Sequence, residues 1–208
     1  MNITNLNLEH YNLEVKRKLF HCMSIIFPIF YLITNKLTMV MVLTVITGLA
    51  VSLDISRHYN KTIQDLVARF FTAIMREDEI SGNFKLSGVS YMFIGFFVTC
   101  ILFSKGVAIS AFLVLIISDT AAALVGKKIG KPMANGKSIE GSIAFGATAM
   151  LIGMLSYTFQ SYVSSFTGII IASVITTLVE YHSDRLNIND NLSIPVTFGL
   201  VITVLGWM

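Results

Sequence analysis

The chain has 208 residues, is 54% hydrophobic and only 13% charged, and carries a formal net charge of +3. A soluble domain usually holds about 25% charged residues, so this composition argues against a water-exposed globule and points to a membrane. The small positive balance, without a basic stripe, also argues against nucleic acid as a partner.

In chain order, the first element is a polar tail over residues 1–18, MNITNLNLEHYNLEVKRK. No small-residue cleavage site closely follows the first apolar run, so a cleaved signal peptide is not expected. Seven apolar runs then approach the roughly 20 residues that a spanning helix needs. They are Leu19–Thr34, Leu37–Leu53, Val89–Ser104, Val107–Val125, Ser142–Phe159, Phe166–Val179 and Leu192–Met208. They are continuous rather than alternating, which disfavours a β-barrel. The expected fold is all-α, a single domain over 1–208 with about seven transmembrane helices. Cys22 and Cys100 both fall in apolar runs and read as small buried hydrophobes.

The long gap over 54–88 has a pattern of its own. Ile63, Leu66, Val67, Phe70, Phe71, Ile74 and Met75 recur at helical spacing, which predicts an amphipathic helix on the membrane surface. It serves either as a plain connector or as a lid or side access for a lipid. No internal repeat supports the two-halves plan of many transporters.

Charge sets an orientation. Thirteen of the 15 Lys and Arg residues lie on one side of the predicted spans, and only Lys36 and Lys105 lie on the other. All 12 Asp and Glu residues share the Lys/Arg-rich side. Positive charge marks the cytoplasmic side. The N-terminus and any active site are therefore expected in the cytoplasm, with the C-terminus opposite.

Three constellations on that side carry chemistry. The first is SDTAAALVGKKIGKPMANGKSIEGS, which includes a predicted loop over 126–141. Asp119 ends an apolar run, where an ionisable group is costly and reads as functional. Ala122 and Ala123 keep the surface slim, and Gly126 and Gly130 permit close backbone approach. Lys127, Lys128, Lys131 and Lys137 add cationic donors. Ser138 reads as the cap of the next helix, with Glu140 and Gly141 near a helix N-terminus that favours phosphate. Together they suggest a nucleotide-phosphate site with a carboxylate-bound Mg²⁺. The P-loop pattern is not met. For the lysines alone, a positive-inside loop fits equally well.

The second constellation is EVKRKLFH. Glu14, Lys18 and His21 share a helical face, with Arg17 one turn from His21. Either Glu14 pairs with Lys18 in a basic membrane flank, or Arg17, Lys18 and His21 help bind phosphate or move a proton. The third is LVEYHSDRLNINDNLSIPV, with Glu180 ending one run and Asp190 opening the next. Asp190 reads as a helix cap or as a functional acid. Asp119, Glu140, Glu180 and Asp190 together offer oxygen ligands for one or two Mg²⁺ ions. Alternatively, Glu180 or Asp190 is a general base for a lipid hydroxyl.

DTAAALVGKKIGK followed by GKSIEGS resembles the nucleotide signature of the CTP-dependent lipid kinases: dolichol kinase, phytol kinase and the yeast-type diacylglycerol kinase. These belong to the wider phosphatidate cytidylyltransferase superfamily. EVKRKLFH, the basic amphipathic loop and the DNLSIP element fall in the matching order, so the resemblance covers Glu14 to the C-terminus. It implies an integral membrane enzyme that phosphorylates a lipid alcohol with CTP and Mg²⁺ or another divalent cation. It assigns CTP binding to Asp119, Ala122, Ala123, Gly126, Gly130, Lys137, Ser138, Glu140 and Gly141. Two departures stand out. Gly136 replaces the first of two adjacent lysines, and the stretch from Gly130 to Lys137 is short. The rival readings are a phosphatidate cytidylyltransferase making CDP-diacylglycerol, whose His-Gly-Gly context is absent before Asp184-Arg185, and a non-enzymatic transporter or scaffold. The lipid alcohol and the oligomeric state are not specified by the sequence.

Overall fold

The computed structural model describes residues 14–71, 85–131, 133, 136–160 and 166–205. Among these the ordered secondary structure is helical, with no strand. The helices are α1 (residues 14–23), α2 (Ile26–Ile33), α3 (Lys36–Tyr59), α4 (Lys61–Phe71), α5 (Gly88–Leu102), α6 (Lys105–Ile129), α7 (Ile139–Gln160), α8 (Phe166–His182) and α9 (Asp190–Leu205).

Each predicted apolar run is helical where it is described, but the run Leu19–Thr34 is not one helix. Ser24 breaks it, its hydroxyl donating to the His21 carbonyl at 2.6 Å. This leaves α1 and α2 as separate pieces joined by a turn. Among the described residues, three helices are long and apolar enough to cross a membrane: α3, α6 and α7. α5, α8 and α9 are apolar but have 15, 17 and 16 residues. At about 1.5 Å per residue they fall short of the ~30 Å hydrocarbon core. In the amphipathic segment, α4 confirms a helix through Phe71; Ile74 and Met75 lie outside the described residues.

α6 forms the centre. Gly106 to Phe112 are all buried, and α2, α5, α7 and α9 pack around this helix. α3 lies at the edge against α5, burying only Met39, Leu43, Asp54 and Arg57. Its residues Leu37, Met41, Val45, Leu49 and Leu53 are all more than half exposed. They stand four apart and so form one apolar stripe. Water would penalise such a stripe, whereas lipid covers it without cost.

The two lysines on the sparsely charged side have structural partners. Lys36 Nζ donates to the Ile101 and Phe103 carbonyls, both at 2.9 Å. Lys105 Nζ donates to the Leu32 and Thr34 carbonyls at 3.0 and 2.7 Å. Each satisfies the carbonyls left open at a neighbouring helix end, where a cation also suits the helix dipole. α9 is positioned by another backbone device. Pro195 lies inside it, so the Asn191 carbonyl loses its usual donor four residues on. Gly95 of α5 packs directly on that carbonyl, where a Cβ would collide. Asn191 Nδ2 also donates to the Gly88 carbonyl at 3.0 Å. These contacts hold the start of α9 beside the start of α5.

Candidate active site

A local irregularity sets Asp119. α6 is α-helical to Leu113, makes a π turn over Val114–Ser118 and resumes at Asp119. A π turn adds a residue to the helical ladder and re-aims the side chains that follow, often at functional sites. Asp119 here meets α1. Lys18 Nζ forms a buried ion pair with Asp119 Oδ2. His21 Nε2 lies 3.8 Å from the same oxygen and 3.4 Å from the Leu115 carbonyl oxygen. Cys22 Sγ lies 3.5 Å from Thr120 Oγ1. Lys18 therefore does not pair with Glu14, as the plain reading of the basic flank has it. Glu14 Oε1 instead accepts from Arg17 Nη2 at 2.9 Å, leaving Lys18 for a partner 101 residues away.

The junction of α6 and α7 explains the glycine spacing. Ser138 Oγ accepts the Gly141 N–H at 3.0 Å, which is the predicted cap. Gly126, Gly130 and Gly141 crowd the same hydroxyl. A Cβ on Gly126 would come 2.9 Å from Ser138 Oγ, and one on Gly141 would come 2.8 Å from the Ala122 carbonyl oxygen. Only glycine lets these helix ends touch here. The turn before Ser138 is tied by Met133 N–H to the Lys137 carbonyl and Gly136 N–H to the Met133 carbonyl, both 2.8 Å. Gly136 has φ +75°, a left-handed conformation that would cost a lysine about 1 kcal/mol. This accounts for the departure from two adjacent lysines.

Lys137 reaches across to α8. Its Nζ meets Glu180 Oε1 at 2.6 Å, Ser183 Oγ at 3.0 Å and the Glu180 carbonyl. It is thus both a cation at the C-terminal end of α8 and a lining residue of a polar cavity. Glu180 Oε2 is buried with no hydrogen-bond partner among the described residues. A buried carboxylate oxygen in that condition is energetically poised for a donor or a cation.

This polar cavity has a volume of about 390 Å³. Arg17, Lys18, Lys127 and Lys137 line it opposite Glu14, Asp119, Glu180, Asp184 and Asp190, with Ala122, Ala123, Gly126, Gly130, Ser138 and Gly141 forming the slim side. Four cations facing five carboxylates do not favour a bare polyanion. They suit a triphosphate that brings its own divalent cation, which Mg²⁺ does through one or two carboxylates plus phosphate oxygens. Asp119, Glu180 and Asp190 are carboxylates of this wall that could hold such a cation.

The structure places several of the expected site residues apart from this cavity. Lys131 and Glu140 are not part of the cavity wall. They engage each other instead, Glu140 Oε2 accepting the Lys131 backbone N–H at 3.2 Å. Gly141 faces α6, so the residue before it on the helix is turned about 100° away. His21 does not line the polar cavity either. The four carboxylates are not gathered as one metal cage: among the described residues no group of three or more metal-binding side chains converges. At the start of α9 the Asn191 N–H is shared by Asn189 Oδ1 and Asp190 Oδ1, both at 3.0 Å, and Asp190 also lines the cavity.

A second, mostly apolar cavity of about 320 Å³ adjoins the first. α1, α3 and α5 supply most of its wall, with Val67 of α4. Arg17, Lys18, Asp119 and Asp190 line both cavities, and His21 lines only this one. Sequence reading passed over Asp54, Arg57, Ser87 and Ser90, which also line it. Asp54 directly follows an apolar run with Arg57 three residues on, the same kind of signal that singled out Asp119.

Comparison with known proteins adds a family. The chain is 46% identical over 203 residues to an uncharacterized protein of Rickettsia prowazekii, covering 98% of this chain and 100% of that protein. The chain belongs to one family with it. It is also 33% identical over 156 residues to CTP-dependent diacylglycerol kinase 1 of Saccharomyces cerevisiae, covering 72% of this chain. The match spans about half, 51%, of the yeast protein. The apolar helices point to membrane association. No family model matches the chain, and no solved structure matches it.

Proposed function

We propose that this protein transfers the γ-phosphoryl group of CTP, carried with Mg²⁺ or another divalent cation, to the hydroxyl of a membrane lipid alcohol. The observation that supports it is the shared wall: Arg17, Lys18, Asp119 and Asp190 border both a charged cavity and an apolar one. A kinase acting on a lipid needs a water-soluble nucleotide and an apolar acceptor to meet at one point. The likeness to the yeast kinase favours CTP as donor. In this reading the seven apolar runs cross the bilayer, and the site and N-terminus face the cytoplasm.

Phosphoryl transfer asks mainly for positioning and charge neutralisation. The divalent ion, when bound with CTP, would draw charge from the phosphate oxygens; Asp119 with Glu180 would hold it. Lys18 and Lys137 exchange their carboxylate partners for phosphate oxygens. The hydroxyl oxygen bonds to the γ-phosphorus as the bond from that phosphorus to the bridging oxygen breaks, and CDP leaves. Asp190, bordering both cavities, takes the hydroxyl proton. Glu180 borders only the polar one, so it is assigned to binding.

The test uses purified full-length protein, Mg²⁺ and a lipid mixture of prenols, phytol, diacylglycerol and phosphatidate. CTP is labelled at the γ- or the α-phosphate in separate reactions. Lipid label from γ-CTP alone is expected. Label from α-CTP alone overturns the kinase reading in favour of a cytidylyltransferase.

A further inference from the structure

The apolar cavity is bordered by a buried charge pair that the transfer chemistry does not use. Asp54 and Arg57, near the end of α3, are 7% and 8% exposed. Arg57 Nε donates to Asp54 Oδ1 at 2.8 Å. Asp54 Oδ2 accepts from the Ser87 N–H at 2.7 Å, the Ser87 hydroxyl at 2.8 Å and the Ser90 hydroxyl at 2.5 Å. Arg57 Nη2 donates to the Lys85 carbonyl at 3.0 Å. Capping α5 does not call for this pair, since Ser87 Oγ already accepts the Ser90 N–H at 3.3 Å. Burying two charges is also a poor way to gain stability, because desolvation offsets their attraction. What the cluster does supply is geometry: it ties Lys85, Ser87 and Ser90, around the start of α5, to the end of α3.

The start of α5 in turn holds the start of α9. α3 packs on α5, and α5 packs on α9. The Gly88 carbonyl accepts from Asn191 Nδ2 at 3.0 Å, and Gly95 closes on the Asn191 carbonyl. The Asn191 N–H lies 3.0 Å from Asp190 Oδ1. The contacts thus run from Asp54 through Ser87 and Gly88 to Asn191, and end on the carboxyl group of Asp190. All five residues line the apolar cavity.

We propose that Asp54 is a positioning residue for the transfer: it acts through the start of α5 to hold Asp190 where the acceptor hydroxyl gives up its proton. A displacement of about 1 Å at reacting groups can cost about 10²-fold in rate, so a rigid link from α3 has a kinetic effect without touching the substrate. The task given to Asp190 rests on the kinase reading; the link from α3 to α9 does not.

The experiment uses full-length protein in nanodiscs, with two readouts. In turnover from γ-labelled CTP, Asp54→Asn is expected to lower kcat by about 10²-fold with both KM values little changed. Asn191→Ala lowers kcat comparably. The double variant is no slower than the slower single one, because both break the same link. Asp54→Leu with Arg57→Met removes the ion pair without leaving a buried charge; thermal stability recovers and kcat stays low. By hydrogen exchange, Asp54→Asn speeds the amides of residues 87–91 and 190–193 about tenfold, while those of 145–152 in α7 do not change. A rise in the acceptor KM alone makes Asp54 a lipid contact and overturns the proposal. Losses that multiply in the double variant, recovery of kcat together with stability, or unchanged exchange over 190–193 also overturn it. Coupled exchange in a protein that transfers nothing from γ-CTP upholds the link and refutes the kinase reading.

Discussion

The two cavities differ in how they are made. The polar one draws most of its wall from one continuous stretch, Asp119 to Ser142, closed by α1, Glu180, Asp184 and Asp190. The apolar one is assembled from α1, α3 and α5, with Val67 of α4, Asp119 of α6 and the start of α9, segments far apart in the chain. A site that grips phosphates needs backbone approach and charges at fixed spacing, which a short segment can encode. A site for a lipid needs only shaped apolar space, which distant helices supply jointly. The contact between the two is four charged side chains, Lys18 and Asp119 buried and Arg17 and Asp190 half-buried, and those charges are where substitutions separate the regions.

The largest effect is expected at the shared wall. Asp119→Asn reduces transfer by roughly 10³-fold, since it removes a carboxylate from the metal-bound nucleotide. It also leaves Lys18 buried and unpaired, costing about 3–5 kcal/mol of stability. Asp119→Asn with Lys18→Met removes both charges. Thermal unfolding then recovers while activity does not, and recovery of both would make the pair merely structural.

Next comes Lys137→Ala, expected to reduce kcat/KM for CTP by about 10²-fold, with the acceptor KM little changed. A rise confined to the acceptor KM would place Lys137 in the other region. Gly130→Ala is intermediate. Its Cβ collides with Ser138 and separates α6 from α7 at a cost of about 1–3 kcal/mol, read as a weaker CTP affinity with the acceptor KM little changed. Glu140→Gln is the smallest, within about twofold in every kinetic constant, because its partner is the Lys131 backbone rather than the cavity. A large loss there would restore the role that motif resemblance gives it.

What was legible in the sequence follows the same division. The helices, the Ser138 cap and the close glycine junction could be read because each rests on local chemistry within a few residues. The three long helices were likewise visible as apolar runs. The π turn before Asp119 was not, because VLIIS carries no signal that separates π from α winding. The Lys18–Asp119 and Lys137–Glu180 pairs join residues 101 and 43 apart, and spacing cannot choose among so many charges on one side. That Glu140 meets the Lys131 backbone could not be read, because a motif gives order along the chain and not direction around a helix. Asp54 and Arg57 went unnoticed at the edge of an apolar run, where a single acid looks like the run's end.

The central claim is that nucleotide and lipid meet across Lys18, Asp119 and Asp190. The direct test is paramagnetic. The protein is placed in nanodiscs with diacylglycerol carrying ¹³C at the carbinol carbon, and Mn²⁺ is added with a non-hydrolysable CTP analogue. The account predicts strong broadening of the carbinol signal, lost when Ala50→Phe fills the apolar cavity that Ala50 lines. A carbinol signal that stays sharp while both ligands are bound would contradict it.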